Sequence, residues 1–110
     1  MKIRHYSEVE PSEEVPGVRL HVVIGPDDGA PTSVMRVFEV SPGCTTPYHT
    51  HDWEHEVLIL AGKAKVRGQD GETPLSEGTA VFIAPNEEHC FINAGDDVLR
   101  FVCIIPVLPK

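Results

Sequence analysis

Residues 49–56, HTHDWEHE, place three histidines within seven positions. Imidazole is the commonest metal ligand in proteins, and it binds a metal in its neutral form. In a strand, side chains two positions apart share a face, so His49 and His51 point the same way. His55 has the same parity and joins them if the strand is regular between, whereas Glu56 does not. The alternative is a bend or bulge in the intervening Asp-Trp pair. The spacing indicates a metal site that is closed by a further histidine from a neighbouring strand.

The elements that must position these histidines are short apolar runs punctuated by turn residues. Ten prolines and nine glycines leave little room for helices, and the runs are rich in Val, Ile and Leu, which suit pleated sheets. We therefore predict eight to ten short strands that form an antiparallel sandwich or barrel. The main predicted strands are Val18–Ile24, Val34–Val40, Val57–Leu60, Lys63–Arg67, Thr79–Ile83, His89–Asn93 and Val98–Ile105.

Composition excludes several classes of partner. The chain has 110 residues, which suit one domain over residues 1–110. Seventeen acidic residues against nine basic ones give a net charge of −8, which opposes binding to nucleic acid or to an anionic membrane. The N-terminus lacks an apolar signal core, and three cysteines cannot all pair within one chain. These features predict a cytoplasmic protein with reduced thiols.

The spacing around the histidines resembles the two sequence motifs of the cupin superfamily. The first motif corresponds to residues 43–62, where glycines frame the histidine cluster. That motif normally has glutamate at the position that His55 occupies here. The second motif corresponds to residues 78–93 and contains His89. Its proline is displaced by one position, and acidic residues replace the glycine that usually follows.

The resemblance is specific to the small, single-domain, manganese-type cupins that use four histidines. It implies an all-β double-stranded β-helix, or jelly-roll barrel. It also implies a divalent transition metal (Mn, Fe, Cu, Ni or Zn) and a homodimer whose subunits pair their sheets. Glu56 competes with His55 for the fourth ligand position, but it has the wrong strand parity. The implied metal ligands are His49, His51, His55 and His89.

The ligand set has a consequence for the charge of the site. Four neutral histidines leave a divalent ion at about +2, whereas three histidines and a carboxylate leave about +1. The site therefore favours an anionic ligand. An octahedral ion with four protein ligands keeps roughly two positions open, enough for a chelating substrate or for substrate and dioxygen.

Our leading functional hypothesis is a metal-dependent, dioxygenase-type oxidoreductase that acts on a small organic, anionic substrate. One alternative is a redox-neutral lyase, isomerase or decarboxylase. Another is a non-catalytic protein that binds a sugar or carboxylate, since cupins support many activities. The sequence assigns no catalytic acid or base.

Four further residues are candidates for the substrate pocket. Phe101 and Cys103 share parity in the last strand, and core packing is their structural alternative. Arg36 suits bidentate pairing with a substrate carboxylate, with an exposed strand position as its alternative. Trp53 is expected either as a lip over the metal entrance or at a subunit contact. Asn93 is expected to fix a turn.

Overall fold

A computed structural model describes residues 1–108, apart from the side chain of Glu14. The predicted domain of residues 1–110 therefore extends two residues beyond the described part. Two short 3-10 helices, Tyr6–Glu8 and Pro26–Asp28, accompany nine strands within it. The strands are β1 (Ser12–Val15), β2 (Val18–Ile24), β3 (Ser33–Val40), β4 (His55–Ala61), β5 (Ala64–Gly68), β6 (Gly71–Leu75), β7 (Ala80–Ile83), β8 (Cys90–Asn93) and β9 (Leu99–Pro106).

Antiparallel pairing joins these strands into two sheets. The larger sheet has the order β1-β2-β3-β9-β4-β7, and the smaller sheet has the order β6-β5-β8. Isolated bridges of Thr45 with Ile92 and of His49 with His89 add the segment before β4 to the smaller sheet. This arrangement confirms the predicted all-β jelly roll.

The core lies between the sheets and follows the two-residue period of a strand. In β9, Leu99, Phe101, Cys103 and Ile105 are buried while the residues between them are partly exposed. In β4 the buried residues are His55 and the two aliphatic residues of the same parity. Alternation therefore places His55 on the inner face, in line with the core.

Two strands were not predicted, and both lie at an edge of a sheet. In β6, four of the five residues are exposed, and Pro74 cannot donate a hydrogen bond to a neighbouring strand. β1 lies at the far edge of the larger sheet. Exposed polar residues and proline are common on edge strands, where they discourage pairing with other chains. Such strands lack the apolar alternation that sequence patterns detect.

The turn at Gly62 requires glycine. Its φ is 90°, a left-handed value that L side chains rarely adopt. A Cβ at this position would lie 3.0 Å from the carbonyl oxygen of Val98 and 3.1 Å from the Cα of Leu99. The glycine thus allows the end of β4 to pass close to the start of β9.

The N-terminal segment is attached to the outside of the larger sheet through Glu39. Nδ1 of the buried His21 donates to the carbonyl of Val9 at 2.9 Å, and Nε2 lies 3.1 Å from Oε1 of Glu39. The hydroxyl of Tyr6 donates to Oε2 of Glu39 at 3.0 Å. Desolvation would raise the pKa of Glu39, but hydrogen bonds from His21 and Tyr6 and the charge of Arg19 lower it overall. Within residues 1–108, no helix is long and apolar enough to cross a membrane.

Candidate metal centre and its cavity

The four histidines that the sequence singled out lie together between the sheets. The backbones of His49 and His89 pair through hydrogen bonds of 3.2 and 3.1 Å. His51 lies in the loop that follows, and His55 is the first residue of β4. Ring centroids are 4.2 Å apart for His49–His51, 5.1 Å for His51–His55, 5.0 Å for His55–His89 and 5.2 Å for His49–His89.

Strand parity alone does not explain this clustering. The chain from His51 to Glu54 is not a strand, and it bends at Asp52 and Trp53. The regular strand on which the parity prediction for His55 depended is therefore absent from this part of the described chain. This bent segment places the ring of His55 next to the ring of His51. The bend that was the alternative to a regular strand is observed, and the three rings are nevertheless grouped.

Hydrogen bonds fix which nitrogen two of the rings present to the cluster. Nδ1 of His49 faces the carbonyl oxygen of Pro47, and Nδ1 of His89 lies 2.8 Å from the carbonyl oxygen of Glu87. A carbonyl only accepts, so each Nδ1 carries the proton. Nε2 of each ring then keeps its lone pair, which is the form that binds a metal ion.

His55 is buried and has a different partner. Its Nδ1 lies 3.2 Å from Sγ of Cys103 and 3.5 Å from Nη2 of Arg36. Its Nε2 is buried with no hydrogen-bond partner among the described residues. A buried nitrogen left without a partner costs free energy, of the order of 1–3 kcal/mol. A metal ion bound at this nitrogen would remove that cost.

Burial favours the neutral form of three of the four rings. Desolvation is the main cause that lowers the pKa of His51, His55 and His89. The pKa of His55 falls to about 3, with further contributions from His89 and from the positive charge of Arg36. Neutral imidazoles are the form that a metal requires.

The rings pack against one another and are not yet arranged around one point. His51 stacks on Trp53, with centroids 4.3 Å apart and planes at 13°. Among residues 1–108, no group of three or more histidine, cysteine or acidic side chains is placed so that it could hold a metal ion as it stands. The donor set nevertheless fits a transition metal, because of the unpartnered Nε2 of His55 and the lone pairs directed by His49 and His89. The four-histidine ligand set stays a prediction.

A cavity of about 360 Å³ adjoins the histidines. Its walls come from both sheets and are mainly apolar. Three phenylalanines form one aromatic group within it: Phe38 and Phe101 stack at 5.0 Å, and Phe91 lies 4.8 Å from Phe101. The lining residues are Val15, Val18, Leu20, Arg36, Phe38, Thr46, Pro47, His49, His51, His55, His89, Phe91, Phe101 and Cys103.

Three of the four predicted pocket residues line this cavity. Phe101 and Cys103 project inward from β9, and Arg36 projects inward from the neighbouring β3. Trp53 is not among the lining residues. It is half-buried and supports the ring of His51 from behind.

The acidic residues of the first histidine segment lie outside the cavity. Glu54 and Glu56 are exposed, and neither lines it. Glu56 lies opposite Phe82 and Ile104 in the sheet register, with its side chain on the outer face. His55 is therefore the better placed of the two candidates for the fourth ligand.

Two aromatic residues of the cavity were not among the predicted pocket residues. Phe91 shares the parity of His89, and Phe38 shares that of Arg36, so alternation was a usable signal for both. Asn93, in contrast, has the predicted structural role. It donates to the carbonyls of Val40 and Asp97 at 2.9 and 2.8 Å and accepts from the backbone N–H of Gly95 at 2.9 Å.

The altered turn of the second motif is held by hydrogen bonds of its own residues. Asn86 adopts a left-handed φ of 67°, which asparagine tolerates better than most residues. Its backbone N–H donates to the carbonyl of His51. Oε1 of Glu87 accepts from the backbone N–H of Ala84 at 3.0 Å. The turn before β8 is thus hydrogen-bonded to the loop that carries His51.

The fold and this cavity define a small β-barrel protein with a histidine-lined cavity. The family model described as a cupin domain, Cupin_2, matches residues 36–105, which include both histidine segments. The chain belongs to the cupin family.

Individual relatives agree with this assignment. The polyketide cyclase RemF from Streptomyces resistomycificus is similar over 98% of this chain and 80% of its own, with a TM-score of 0.89 and 32% identity. A cupin 2 domain-containing protein from Halorhodospira halophila covers 90% of this chain and 74% of its own, with a TM-score of 0.77 and 33% identity. The oxalate-binding protein of Thermotoga maritima is 28% identical over 71 residues, which are 64% of this chain and 59% of that protein. The match therefore spans less than two thirds of that relative.

Proposed function

We propose that this cupin is a metal-dependent enzyme that binds a small, oxygen-bearing substrate with an apolar body and rearranges it without net oxidation. One observation carries the proposal: four imidazole rings lie beside an aromatic-walled cavity of about 360 Å³. That volume falls within the range of small-molecule sites, roughly 300–1,000 Å³. It exceeds what a two-carbon diacid would fill, which argues against oxalate as the ligand.

In this proposal the metal ligands are His49, His51, His55 and His89, each through Nε2. The metal would be manganese, iron, copper, nickel or zinc. A divalent ion held there would supply Lewis acidity, polarising a carbonyl oxygen of the substrate. The backbones of Pro47 and Glu87 orient two of the rings, and Cys103 orients a third.

The protein's own contribution is to bind the apolar body and to exclude water from it. Phe38, Phe91 and Phe101 offer ring faces against which a flat, conjugated substrate can stack. No carboxylate lines the cavity in the part of the chain that the structure describes. Burial raises the pKa of the Cys103 thiol, which keeps it protonated. A substrate whose own C–H is acidic, such as a 1,3-dicarbonyl compound, suits a site without a strong base.

The likeness to RemF, a polyketide cyclase, supports cyclisation as the reaction. A carbon–carbon bond would form between the α-carbon of one carbonyl group and the carbon of another. The proton that leaves the α-carbon would be balanced by the proton that the attacked oxygen gains. No oxidant is consumed.

Dioxygenase chemistry is the second candidate, and the all-nitrogen donor set favours it because histidine ligation suits redox-active metals. Both candidates are tested by one experiment. Protein loaded with manganese, iron, copper or zinc is incubated with a panel of 1,3-diketones and poly-β-ketones, while dioxygen uptake and product mass are followed. We expect products of unchanged mass, or of mass lowered by one water, without dioxygen uptake. Dioxygen uptake with added oxygen atoms would replace the proposal with the dioxygenase. Saturable binding without product would leave a binding protein.

A further inference from the structure

Among the residues that the structure describes, the cavity contains one cationic side chain, Arg36, and no carboxylate pairs with it. Arg36 projects from β3 into the cavity, and its register partner across the sheet is Cys103. Among residues 1–108 the arginines that form ion pairs are Arg4, Arg19 and Arg100. The lining includes no aspartate or glutamate in the described part. This cation is notable in a chain whose net charge is −8.

The guanidinium is held in place but has donors left over. Nη2 donates to Sγ of Cys103 at 3.0 Å. The guanidinium carbon lies 5.1 Å from the ring centroid of Phe38, so the group stacks over that ring. Nε is buried and has no described partner. Arginine has five N–H donors in a fixed fork, and Nε with a terminal nitrogen matches the two oxygens of a carboxylate.

The balance of charge at the site gives a second reason to expect an anion. Four neutral histidines with a divalent ion give about +2, and Arg36 raises the sum to about +3 within an apolar enclosure. A ligand that chelates the metal through an enolate or hydroxyl oxygen would offset only part of this. A separate anionic group beside Arg36 would offset more of it and would satisfy the buried Nε–H.

From the geometry we infer that Arg36 is an anion-binding residue of the cavity, and that its ligand joins an aromatic or conjugated apolar body to a carboxylate or a similarly planar anion. Nη2 and Nε of Arg36 contact the anion, while the rings of Phe38 and Phe101 contact the body. This inference deepens the proposed function, because the ligand is taken to be that enzyme's substrate. It concerns a part of the cavity that the histidines do not supply.

The test uses metal-free protein, so that it does not depend on catalysis. The probes are 3-phenylpropionate and its neutral isostere 3-phenylpropionamide, and affinities are measured by titration calorimetry. A charge-assisted bidentate contact predicts that the carboxylate binds at least about tenfold more tightly than the amide. The ¹⁵N–¹H signal of Arg36 Nε should shift with the carboxylate and not with the amide. Equal affinities in the wild type, or no binding of either probe, would overturn the inference without any variant.

Variants at Arg36 test whether this residue causes the preference for the carboxylate over the amide. Arg36→Gln should abolish it, and Arg36→Lys should keep part of it, because lysine retains the charge and loses the fork. Arg19→Gln is the matched control, since Arg19 contacts Glu39 on the outside of the sheet. A preference that survives in Arg36→Gln would also overturn the inference.

The two proposals fail separately. Anion preference in the metal-free protein, together with no turnover of any panel substrate, leaves the anion site and refutes the enzyme. Turnover of neutral diketones without anion preference supports the enzyme and refutes the anion site.

Discussion

Replacing His55 by glutamate tests whether the charge of the histidine cluster selects its ligand. The rings of His51 and His89 lie 5.1 and 5.0 Å from that of His55, so an ion held among them would be a near neighbour of the new carboxylate. Two unit charges about 4 Å apart interact by about 4 kcal/mol at an effective dielectric constant of about 20. His49 and His51 are partly exposed, so we take about half of this, or about 2 kcal/mol.

The substitution should therefore strengthen metal binding and weaken binding of an anion to the metal-loaded site. About 2 kcal/mol corresponds to roughly a 30-fold increase in the Kd of a chelating anion. The assay is calorimetric titration of zinc-loaded His55→Glu protein with salicylate, compared with the zinc-loaded wild type. Salicylate affinity that is unchanged or higher in the variant would refute the charge argument.

Two controls isolate the effect of charge. His55→Gln removes the imidazole without adding a charge, so it should weaken metal binding and should not repel salicylate. Glu56→Gln changes a charge one residue away, on the outer face of the sheet. It should leave both affinities within a factor of about two, as expected for an exposed group.

Three further outcomes are expected. Gly62→Ala should lower the free energy of unfolding by about 1–3 kcal/mol in chemical denaturation, because its Cβ would meet backbone atoms at a left-handed φ. Glu39→Gln should cost about 1–3 kcal/mol at neutral pH. Because the folded-state pKa of Glu39 is lowered, the wild type should lose this advantage as the pH falls below about 4.3, the ordinary pKa of glutamate, as pH-dependent thermal unfolding would show. The predicted homodimer should use the outer face of the larger sheet, where Leu58 and Phe82 are 40% and 61% exposed. The double variant Leu58→Lys, Phe82→Lys should therefore be a monomer in sedimentation velocity. An unchanged dimer would exclude this face as the interface.

Period-two alternation carried most of what could be predicted from the sequence. Seven strands were predicted from the sequence, and their predicted ends differ from the observed ends by at most two residues. Each of these strands has apolar residues on one face or both. The histidine spacing identified three of the rings that cluster, and the resemblance to the second cupin motif added His89. β1 and β6 were missed because edge strands with exposed residues lack that alternation.

Other features depend on contacts between residues that are far apart in the chain. Parity assigns Arg36 to one face of β3, but nothing local says which face becomes the inside. Its burial depends on Cys103, which is 67 positions away. The attachment of the N-terminal segment through His21 and Glu39 is likewise a long-range contact. Histidines that lie outside the motifs give no signal of such partners.

The four-histidine site can be tested by a crystal structure of the manganese- or zinc-loaded protein, with anomalous scattering measured at the metal edge. We expect one strong anomalous peak, with Nε2 of His49, His51, His55 and His89 as its protein ligands. For zinc, the distances should be about 2.0–2.1 Å. A peak elsewhere, a site that uses Glu56 in place of His55, or no peak after soaking in either metal salt would contradict it.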